Sequence, residues 1–209
     1  MKVILIGSTG LVGQEVLKLL LADPSILEVV TPARHGQSIH SKQKLIIYDY
    51  EKNENAEEFK NADVVICTLG TTMKKAKSKP NFKKVDYDYP LNFANLAKKN
   101  GTRHFILNSS MGASAKSPIF YSKIKGEIEE SIRALNFDKY SIIRPGLIGG
   151  ERSEFRLFEI ITLKALTAFG FLLPKSLKIN PANKIAQTIC TEMKTDFNGE
   201  QIISSDAMI

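Results

Sequence analysis

The stretch Lys2-Val3-Ile4-Leu5-Ile6-Gly7-Ser8-Thr9-Gly10-Leu11-Val12-Gly13 decides the fold of this 209-residue chain. Its first half is an apolar run typical of a buried parallel strand, and a helical pattern begins at Leu11. Three glycines stand between them in the spacing G-x-x-G-x-x-G. Glycines allow a tight turn, and the N-terminus of the following helix presents unpaired N–H groups and a positive dipole end to an anion.

This arrangement predicts a site for the diphosphate of a dinucleotide, because the glycines stand where a nucleotide-binding fold requires them. Glycines needed only for close strand–helix packing would leave the same pattern, and that alternative stays open. The residues that we expect at the cofactor are Gly7, Ser8, Thr9, Gly10, Leu11, Val12 and Gly13.

Short β-branched runs alternate with longer helical patterns along the rest of the chain. Strands are predicted at 2–6, 27–31, 44–48, 63–68, 103–108, 140–143 and 201–204, and helices at 11–22, 81–99, 120–136, 153–169 and 181–193. This alternation, with short connections, predicts an α/β fold with a doubly wound parallel sheet, the Rossmann fold. We expect residues 1–209 to form a single domain, within which 147–180 supply a small lobe on the substrate side.

The net charge of +7 comes largely from one lysine-rich segment, Lys74 to Lys84. It contains a single aromatic residue, Phe82, and no recognition-helix pattern, so the sequence does not favour nucleic acid as a partner. A solvated surface loop and attraction of a phosphorylated ligand both remain open for this segment.

Composition points to an intracellular protein without a bound metal. Cys67 and Cys190 are far apart in apolar surroundings, and the three histidines have no partners at ligand spacing. The first six residues do not resemble a secretory signal, which predicts a cytoplasmic location. Charged residues interrupt the apolar stretch 155–173, so we expect a helix that covers a pocket, with peripheral membrane contact as the alternative.

Arg34 stands at the tip of the second predicted strand, where folds that bind NAD usually carry an acidic residue for the ribose 2′-hydroxyl. A guanidinium at this point suits a 2′-phosphate, with which it forms two parallel hydrogen bonds. The sequence therefore predicts NADP(H) in preference to NAD(H), unless Arg34 is simply a surface residue of a loop.

The next two strands end on further candidates for cofactor contacts. Asp49 follows the third strand, where it would reach the adenine amino group, and Tyr50 would flank the ring. After the fourth strand, Gly70 would allow the backbone to approach the cofactor, with Thr68 and Leu69 beside it.

The strongest catalytic pattern lies after the fifth strand. Ser110 follows that strand, and Tyr121 and Lys125 come later at helical spacing i, i+4, so they share one helix face. A phenol with a pKa near 10 needs a neighbouring ammonium to take part in acid–base chemistry at neutral pH. We expect Ser110 to orient a substrate oxygen, with Ser109 as the other candidate serine, and Tyr121 and Lys125 to contact the cofactor as well.

The sixth strand ends at Pro145, which cannot continue the hydrogen-bonded ladder. The backbone from Pro145 through Leu147 to Ile148 would then meet the nicotinamide carboxamide.

An exposed apolar helix at 120–136 or at 153–169 would allow a homodimer.

These motifs together resemble the short-chain dehydrogenase/reductase superfamily in its extended or atypical branch, and within it the Tat-interacting-protein oxidoreductase group of NAD(P)H-binding proteins. The resemblance is carried by the glycine run, by Leu69-Gly70-Thr71-Thr72 with Val85-Asp86-Tyr87-Asp88-Tyr89, by Ser109-Ser110-Met111-Gly112-Ala113, by Tyr121 to Glu127 and by Arg144-Pro145-Gly146. It implies a Rossmann core, bound NADPH or NADP, and a catalytic set of Ser110, Tyr121 and Lys125.

The resulting hypothesis is an NADP(H)-dependent oxidoreductase acting on a small carbonyl or alcohol. A non-catalytic, redox-sensing NADPH-binding protein is the main alternative. Epimerisation of a nucleotide sugar is a second alternative. It needs a substrate lobe larger than the one that we expect beyond the core of these 209 residues.

Overall fold

A parallel sheet organises the molecule. The computed structural model describes residues 1–51, 56–149 and 179–209. Its strands are β1 (Lys2–Ile6), β2 (Glu28–Ala33), β3 (Gln43–Ile47), β4 (Val64–Cys67), β5 (His104–Asn108), β6 (Lys139–Arg144), β7 (Ile148–Gly149), β8 (Asn180–Pro181) and β9 (Gly199–Ser204). One sheet has the order β3-β2-β1-β4-β5-β6-β9 with parallel neighbours throughout, and β7 pairs with β8 separately. The predicted doubly wound Rossmann fold is confirmed.

Helices cover both faces of this sheet. They are α1 (Leu11–Ala22), α2 (Met73–Ala76), α3 (Lys79–Lys83), α4 (Tyr89–Lys99), α5 (Phe120–Arg133) and α6 (Ala182–Lys194), with 3₁₀ turns at Ala56–Phe59 and Ser205–Met208. The strand order reverses direction between β1 and β4, which opens a crevice at the carboxyl ends of these two strands. A ligand of this fold binds at that crevice.

The prediction of one continuous helix over 81–99 is wrong in its detail. The chain forms α3, then a π-helical turn at Lys84–Asp88, then α4. The lysine-rich segment is also not a loop, because Thr72 and Ser78 cap the short helices α2 and α3 by accepting bonds from Lys75 and Asn81 N–H groups. The helix predicted at 153–169 and most of the expected lobe 147–180 lie outside the described residues.

The side chains of β1 alternate between two apolar clusters and join both halves of the core. Val3 and Leu5 pack in the cluster that includes α1 and α6, and Ile4 and Ile6 in the cluster that includes α4 and α5. All four are fully buried, and each contributes about 1.5–3 kcal/mol through removal of apolar surface from water. The carboxyl end of β1 is therefore held rigidly where the glycine run begins.

Both cysteines are free thiols, with Cys67 buried in the core and Cys190 half-buried. Burial raises the pKa of Cys67 to about 12 and that of Cys190 to about 11, so both stay protonated at neutral pH. Among the described helices, none has the length and apolar character needed to span a bilayer.

Candidate functional site

The turn between β1 and α1 is built from close backbone contacts. Gly7 has φ +86°, a conformation that favours glycine, and its carbonyl oxygen accepts a bond of 2.9 Å from Gly10 N–H. A Cβ atom on Gly13 would lie 2.1 Å from that same oxygen. Thr68 on the neighbouring loop donates its hydroxyl to the Gly7 carbonyl at 3.2 Å. We call Gly7–Gly13 with Thr68 the glycine cradle.

The helix that follows the turn starts without a side-chain cap. Gly10 is its N-cap residue and has no side chain to accept bonds from the first turn. The N-cap therefore satisfies none of the N–H groups of that turn through a side chain, and such groups suit an anion. Thr9 is exposed, Leu11 is half-buried, and Ser8 and Val12 are buried. The run therefore divides its residues between the surface of the site and the packing beneath it.

A cavity of about 580 Å³ opens over the carboxyl ends of the central strands. Its lining brings together predicted residues from four separate parts of the chain: Gly7, Thr9, Gly10, Arg34, Tyr50, Thr68, Leu69 and Gly70. The other lining residues are Glu51, Thr71, Lys75, Ala76, Asn81, Lys84, Val85 and Tyr89. A concave space of this size, lined by glycine backbone and cations, fits part of a dinucleotide.

Three positively charged side chains line this cavity. Arg34 is exposed directly after β2, and Lys75 and Lys84 come from the lysine-rich segment. Lys84 pairs with Glu51 at 2.7 Å, which fixes that ammonium at the rim. The segment therefore faces the same cavity as the predicted cofactor residues, as attraction of a phosphorylated ligand requires.

The two residues after β3 have different surroundings. The Tyr50 ring lines the cavity, meets the Tyr89 ring edge-on at 5.2 Å and donates its hydroxyl to the Pro32 carbonyl at 3.2 Å. Burial raises the pKa of Tyr50 to about 12. Asp49 is exposed, accepts a bond from Glu51 N–H at 3.0 Å and is not among the lining residues. Its contact with adenine stays a prediction.

The predicted catalytic helix carries a buried ion pair. Lys125 and Asp86 lie 2.8 Å apart, with side chains 6% and 0% exposed. Burial acts to lower the pKa of Lys125, but the Asp86 carboxylate and the nearby Tyr121 together hold that pKa above its ordinary value. Tyr121 is exposed at the helix start, with its ring 5.7 Å from that of Phe82.

The two serines after β5 differ in what they contact. Ser109 donates its hydroxyl to Glu129 at 2.5 Å, and Glu129 also pairs with Arg144, so this serine belongs to a buried network. Ser110 is equally buried, yet within the described part of the chain its hydroxyl oxygen has no hydrogen-bond partner. A buried hydroxyl without a partner is costly unless a ligand completes it.

The loop that carries Ser110 lies directly on the helix that carries Tyr121. Ser114 N–H donates to the Ser122 carbonyl at 3.0 Å. A Cβ atom on Gly126 would lie 2.1 Å from Ala115 N, so loop and helix backbones touch. Ser110, Tyr121 and Lys125, which we call the Ser–Tyr–Lys corner, are thus held on two packed segments. They lie outside the cavity lining, although a Cβ on the lining residue Gly70 would be only 3.7 Å from Lys125 Nζ.

The backbone after β6 is already engaged in the protein. The Pro145 carbonyl accepts a bond from Met111 N–H at 2.7 Å, and the Leu147 carbonyl accepts one from Asn180 N–H at 2.8 Å. Asn180 also accepts a bond from Gly146 N–H at 2.6 Å. Leu147 and Ile148 are exposed beyond this anchor. Their contact with a carboxamide stays a prediction.

Sequence reasoning gave no role to Asp86 and Glu129. Each is an acidic residue on the apolar face of a helical pattern: Asp86 lies four residues after Phe82 and seven before Phe93, and Glu129 lies between Ile128 and Ile132. A carboxylate at such a position is buried and therefore needs a partner, which is the signal that would have found both.

Comparison with known proteins agrees with this geometry. A family model described as NAD(P)H-binding matches residues 7–159. Protein FMP52, mitochondrial, from Candida albicans is 39% identical over 160 residues, covering 74% of this chain and 70% of the relative. Protein HTATIP2 from Rattus norvegicus is 36% identical over 167 residues, covering 78% and 69%.

Solved structures extend the likeness to the fold alone. MoeE5 in complex with UDP-glucose and NAD has a TM-score of 0.75 at 12% identity, covering 97% of this chain and 75% of that one. A UDP-glucuronic acid 4-epimerase from Bacillus cereus has a TM-score of 0.74 at 16% identity, covering 98% and 77%.

The relatives also correct one prediction. A cytoplasmic location is wrong by this comparison, because similar proteins from Candida albicans and Emericella nidulans are named as mitochondrial. A short apolar N-terminus without a secretory signal says nothing about entry into other compartments. The family resemblance drawn from the motifs is confirmed, and the chain belongs to the NAD(P)H-binding family.

Proposed function

We propose that this chain is an NADP(H)-dependent oxidoreductase that interconverts a small carbonyl compound and the corresponding alcohol. The observation that carries the proposal is the buried hydroxyl of Ser110, which has no partner among the described residues and lies on a loop packed against the helix of Tyr121 and Lys125. A substrate oxygen would complete that hydroxyl.

The residues around the cavity fit a dinucleotide with a 2′-phosphate. The glycine cradle and the uncapped start of α1 would hold the diphosphate. Arg34, which lines the cavity together with Lys75 and Lys84, would pair with the 2′-phosphate. Tyr50 would lie against the adenine. When bound, NADPH supplies the hydride that the carbonyl carbon accepts.

The Ser–Tyr–Lys corner would bind the substrate oxygen and supply its proton. Ser110 donates a hydrogen bond to the carbonyl oxygen and fixes its position. Tyr121 Oη donates its proton to the same oxygen as the carbon is reduced, so that the product leaves as the alcohol. Lys125, charged and buried one helical turn away, stabilises the phenolate that remains until solvent returns the proton.

Tyr121→Phe tests this assignment, with binding and turnover measured separately. We expect kcat to fall at least 100-fold on a carbonyl substrate, while the Kd for NADPH changes less than threefold, since the phenyl ring keeps its contact with Phe82. The matched control is Tyr87→Phe, which removes a hydroxyl that bonds Ser131 near the C-terminal end of α5. Undiminished turnover in Tyr121→Phe would refute the mechanism.

The same assay separates the alternatives. NADPH that binds but is never oxidised across a panel of aldehydes and ketones would favour a redox-sensing protein that uses cofactor occupancy alone. A nucleotide sugar that binds in calorimetry would favour epimerisation.

A further inference from the structure

We propose that Asp86 is the positioning residue that keeps Lys125 charged and fixed beside the cofactor cavity. The inference rests on the proposed function, because it concerns how the buried ammonium of the Ser–Tyr–Lys corner is maintained. It starts from the backbone around Asp86 and from the two contacts of its carboxylate.

A π-helical turn delivers Asp86 to the interior. The turn spans Lys84–Asp88 between α3 and α4, and Val85 and Lys84 within it line the cavity, while Asp86 points away from solvent with a fully buried side chain. Single π turns are rare, and they are frequent at functional sites. The turn thus lets neighbouring residues serve the cavity surface and the layer beneath it.

Both oxygens of the Asp86 carboxylate are engaged. Oδ1 lies 2.8 Å from Lys125 Nζ, and Oδ2 accepts a bond of 2.9 Å from Thr71 N–H. A Cβ atom on Gly70 would lie 3.5 Å from Oδ1 and 3.7 Å from Lys125 Nζ. Since Gly70 and Thr71 line the cavity, the ion pair lies directly beneath the wall that a bound cofactor would touch.

A lysine in this position needs a counter-charge to remain protonated. The titratable groups that face Lys125 are Asp86 from the π turn, Tyr121 from α5 itself and Cys67 from β4. Cys67 stays neutral, because burial raises its pKa to about 12. Without the Asp86 charge, desolvation would act on Lys125 largely unopposed and favour the neutral amine.

Stability alone gives little reason for such a pair. Taking both charges out of water costs about as much as their attraction returns, and apolar residues of similar volume often serve equally well. The pair is placed under the cavity wall, next to Gly70. We therefore attribute the pair to a requirement for positive charge at the wall, where a ligand would bind.

Asp86→Asn is the test, since it removes the charge and keeps an oxygen for Thr71 N–H. The signals of the Lys125 side chain are followed against pH by NMR of lysine-labelled protein without cofactor, and are assigned by their loss in Lys125→Met. We expect the Lys125 midpoint in Asp86→Asn to lie at least 2 pH units below that of the unaltered protein. The matched control is Glu129→Gln, which neutralises another buried carboxylate, one turn further along α5, and should leave the Lys125 midpoint nearly unchanged.

An equal Lys125 midpoint in Asp86→Asn and the unaltered protein would overturn the proposal. If Asp86→Asn does not fold, the double variant Asp86→Asn/Lys125→Met decides: a folded double variant supports the pairing, and an unfolded one shows that Asp86 is needed for another reason. In turnover assays the high-pH limb of kcat should move down with the midpoint. A protein that binds no NADPH would refute the proposed function and still leave the titration interpretable.

Discussion

The glycine cradle and the Ser–Tyr–Lys corner are built on opposite principles. Apart from Thr68, the cradle consists of consecutive residues, and backbone atoms make most of its contacts: Gly10 N–H donates to the Gly7 carbonyl, and the bare Cα of Gly13 lies against the same oxygen. The corner lies on the loop after β5 and on α5, and buried side chains surround it: Asp86 on the π turn pairs with Lys125, and Ser109 bonds Glu129. One region depends on the absence of side chains, and the other depends on their charges.

This difference decides what each region tolerates. A backbone cradle has no charge to lose, but any added atom at its crowded positions moves a helix against a strand. A side-chain network accepts small changes of shape, but it fails when one partner of a buried pair is neutralised. The expected effects below therefore fall on different properties: first the fold at the cradle, then the corner, then ligand choice, and last the acid stability of the sheet.

The largest effect is expected at Gly13. In Gly13→Ala the new Cβ would lie 2.1 Å from the Gly7 carbonyl oxygen, so α1 must move away from β1. We expect a loss of about 3 kcal/mol in the free energy of unfolding, measured with urea, and loss of NADPH binding. Gly101→Ala is the control, because Gly101 also has a restrictive φ of +81° but open space around it, and it should lose only about 1 kcal/mol. Equal losses at the two positions would remove crowding as the explanation.

Neutralising Glu129 should weaken the buried network beside the corner and leave cofactor binding at the cradle unchanged. Glu129→Gln removes the carboxylate that pairs with Arg144 and weakens the bond from Ser109. Because Arg144 is partly exposed, we expect a loss of about 2–3 kcal/mol in unfolding free energy, below the range for fully buried pairs. The Kd for NADPH should change less than threefold. Glu130→Gln, the same change at the exposed neighbouring residue, should lose under about 0.5 kcal/mol.

The cradle was predictable from the sequence because its contacts are local. A strand, three glycines and a helix start fall within twelve consecutive residues, and the physics of a tight turn next to a helix N-terminus needs nothing from elsewhere in the chain. The same holds for α1, whose predicted bounds of 11–22 are those observed. The doubly wound parallel sheet also followed from the alternation of strand and helix patterns.

The corner was only half predictable. The spacing of Tyr121 and Lys125 is a local signal, but the partner of Lys125 lies 39 positions earlier, on a π turn that a regular helical pattern over 81–99 does not contain. The distinction between Ser109 and Ser110 likewise depends on where Glu129 points. Long-range pairing of buried charges is set by packing, and one sequence does not reveal it.

Substitution of Arg34 tests which cofactor is bound, and it leaves the glycine cradle and the Ser–Tyr–Lys corner in place. Arg34→Ala removes an exposed guanidinium at the cavity rim, so stability should not change. We expect NADPH binding to weaken by about 1–3 kcal/mol through loss of a charge-assisted pair, and NADH binding to change hardly at all, both measured by fluorescence titration. Arg103→Ala is the control, since Arg103 pairs with Asp138 at the start of β5, away from the cavity. Equal losses for the two cofactors would refute a preference for NADP.

The smallest effect concerns the sheet that both regions share. His104 at the start of β5 is buried and contacts the Ser141 hydroxyl at 2.9 Å, and that hydroxyl donates to Glu192. Burial, helped by Lys139, lowers the pKa of His104 to about 4, so the folded protein resists the proton that the unfolded chain accepts near pH 6.5. This contribution is complete above pH 6.5 and is lost as the pH falls toward 4.

We therefore expect the unfolding free energy to fall by about 1–2 kcal/mol more between pH 7 and pH 5 in the unaltered protein than in His104→Gln, whose amide can still donate to Ser141. The same substitution at exposed His35 should leave the pH dependence as it is. Because β5 leads from His104 to the loop of Ser110 and pairs with β4 beside the cradle, acid should weaken both regions together. If NADPH binding survives at a pH where the corner is lost, the two regions do not depend on one shared sheet.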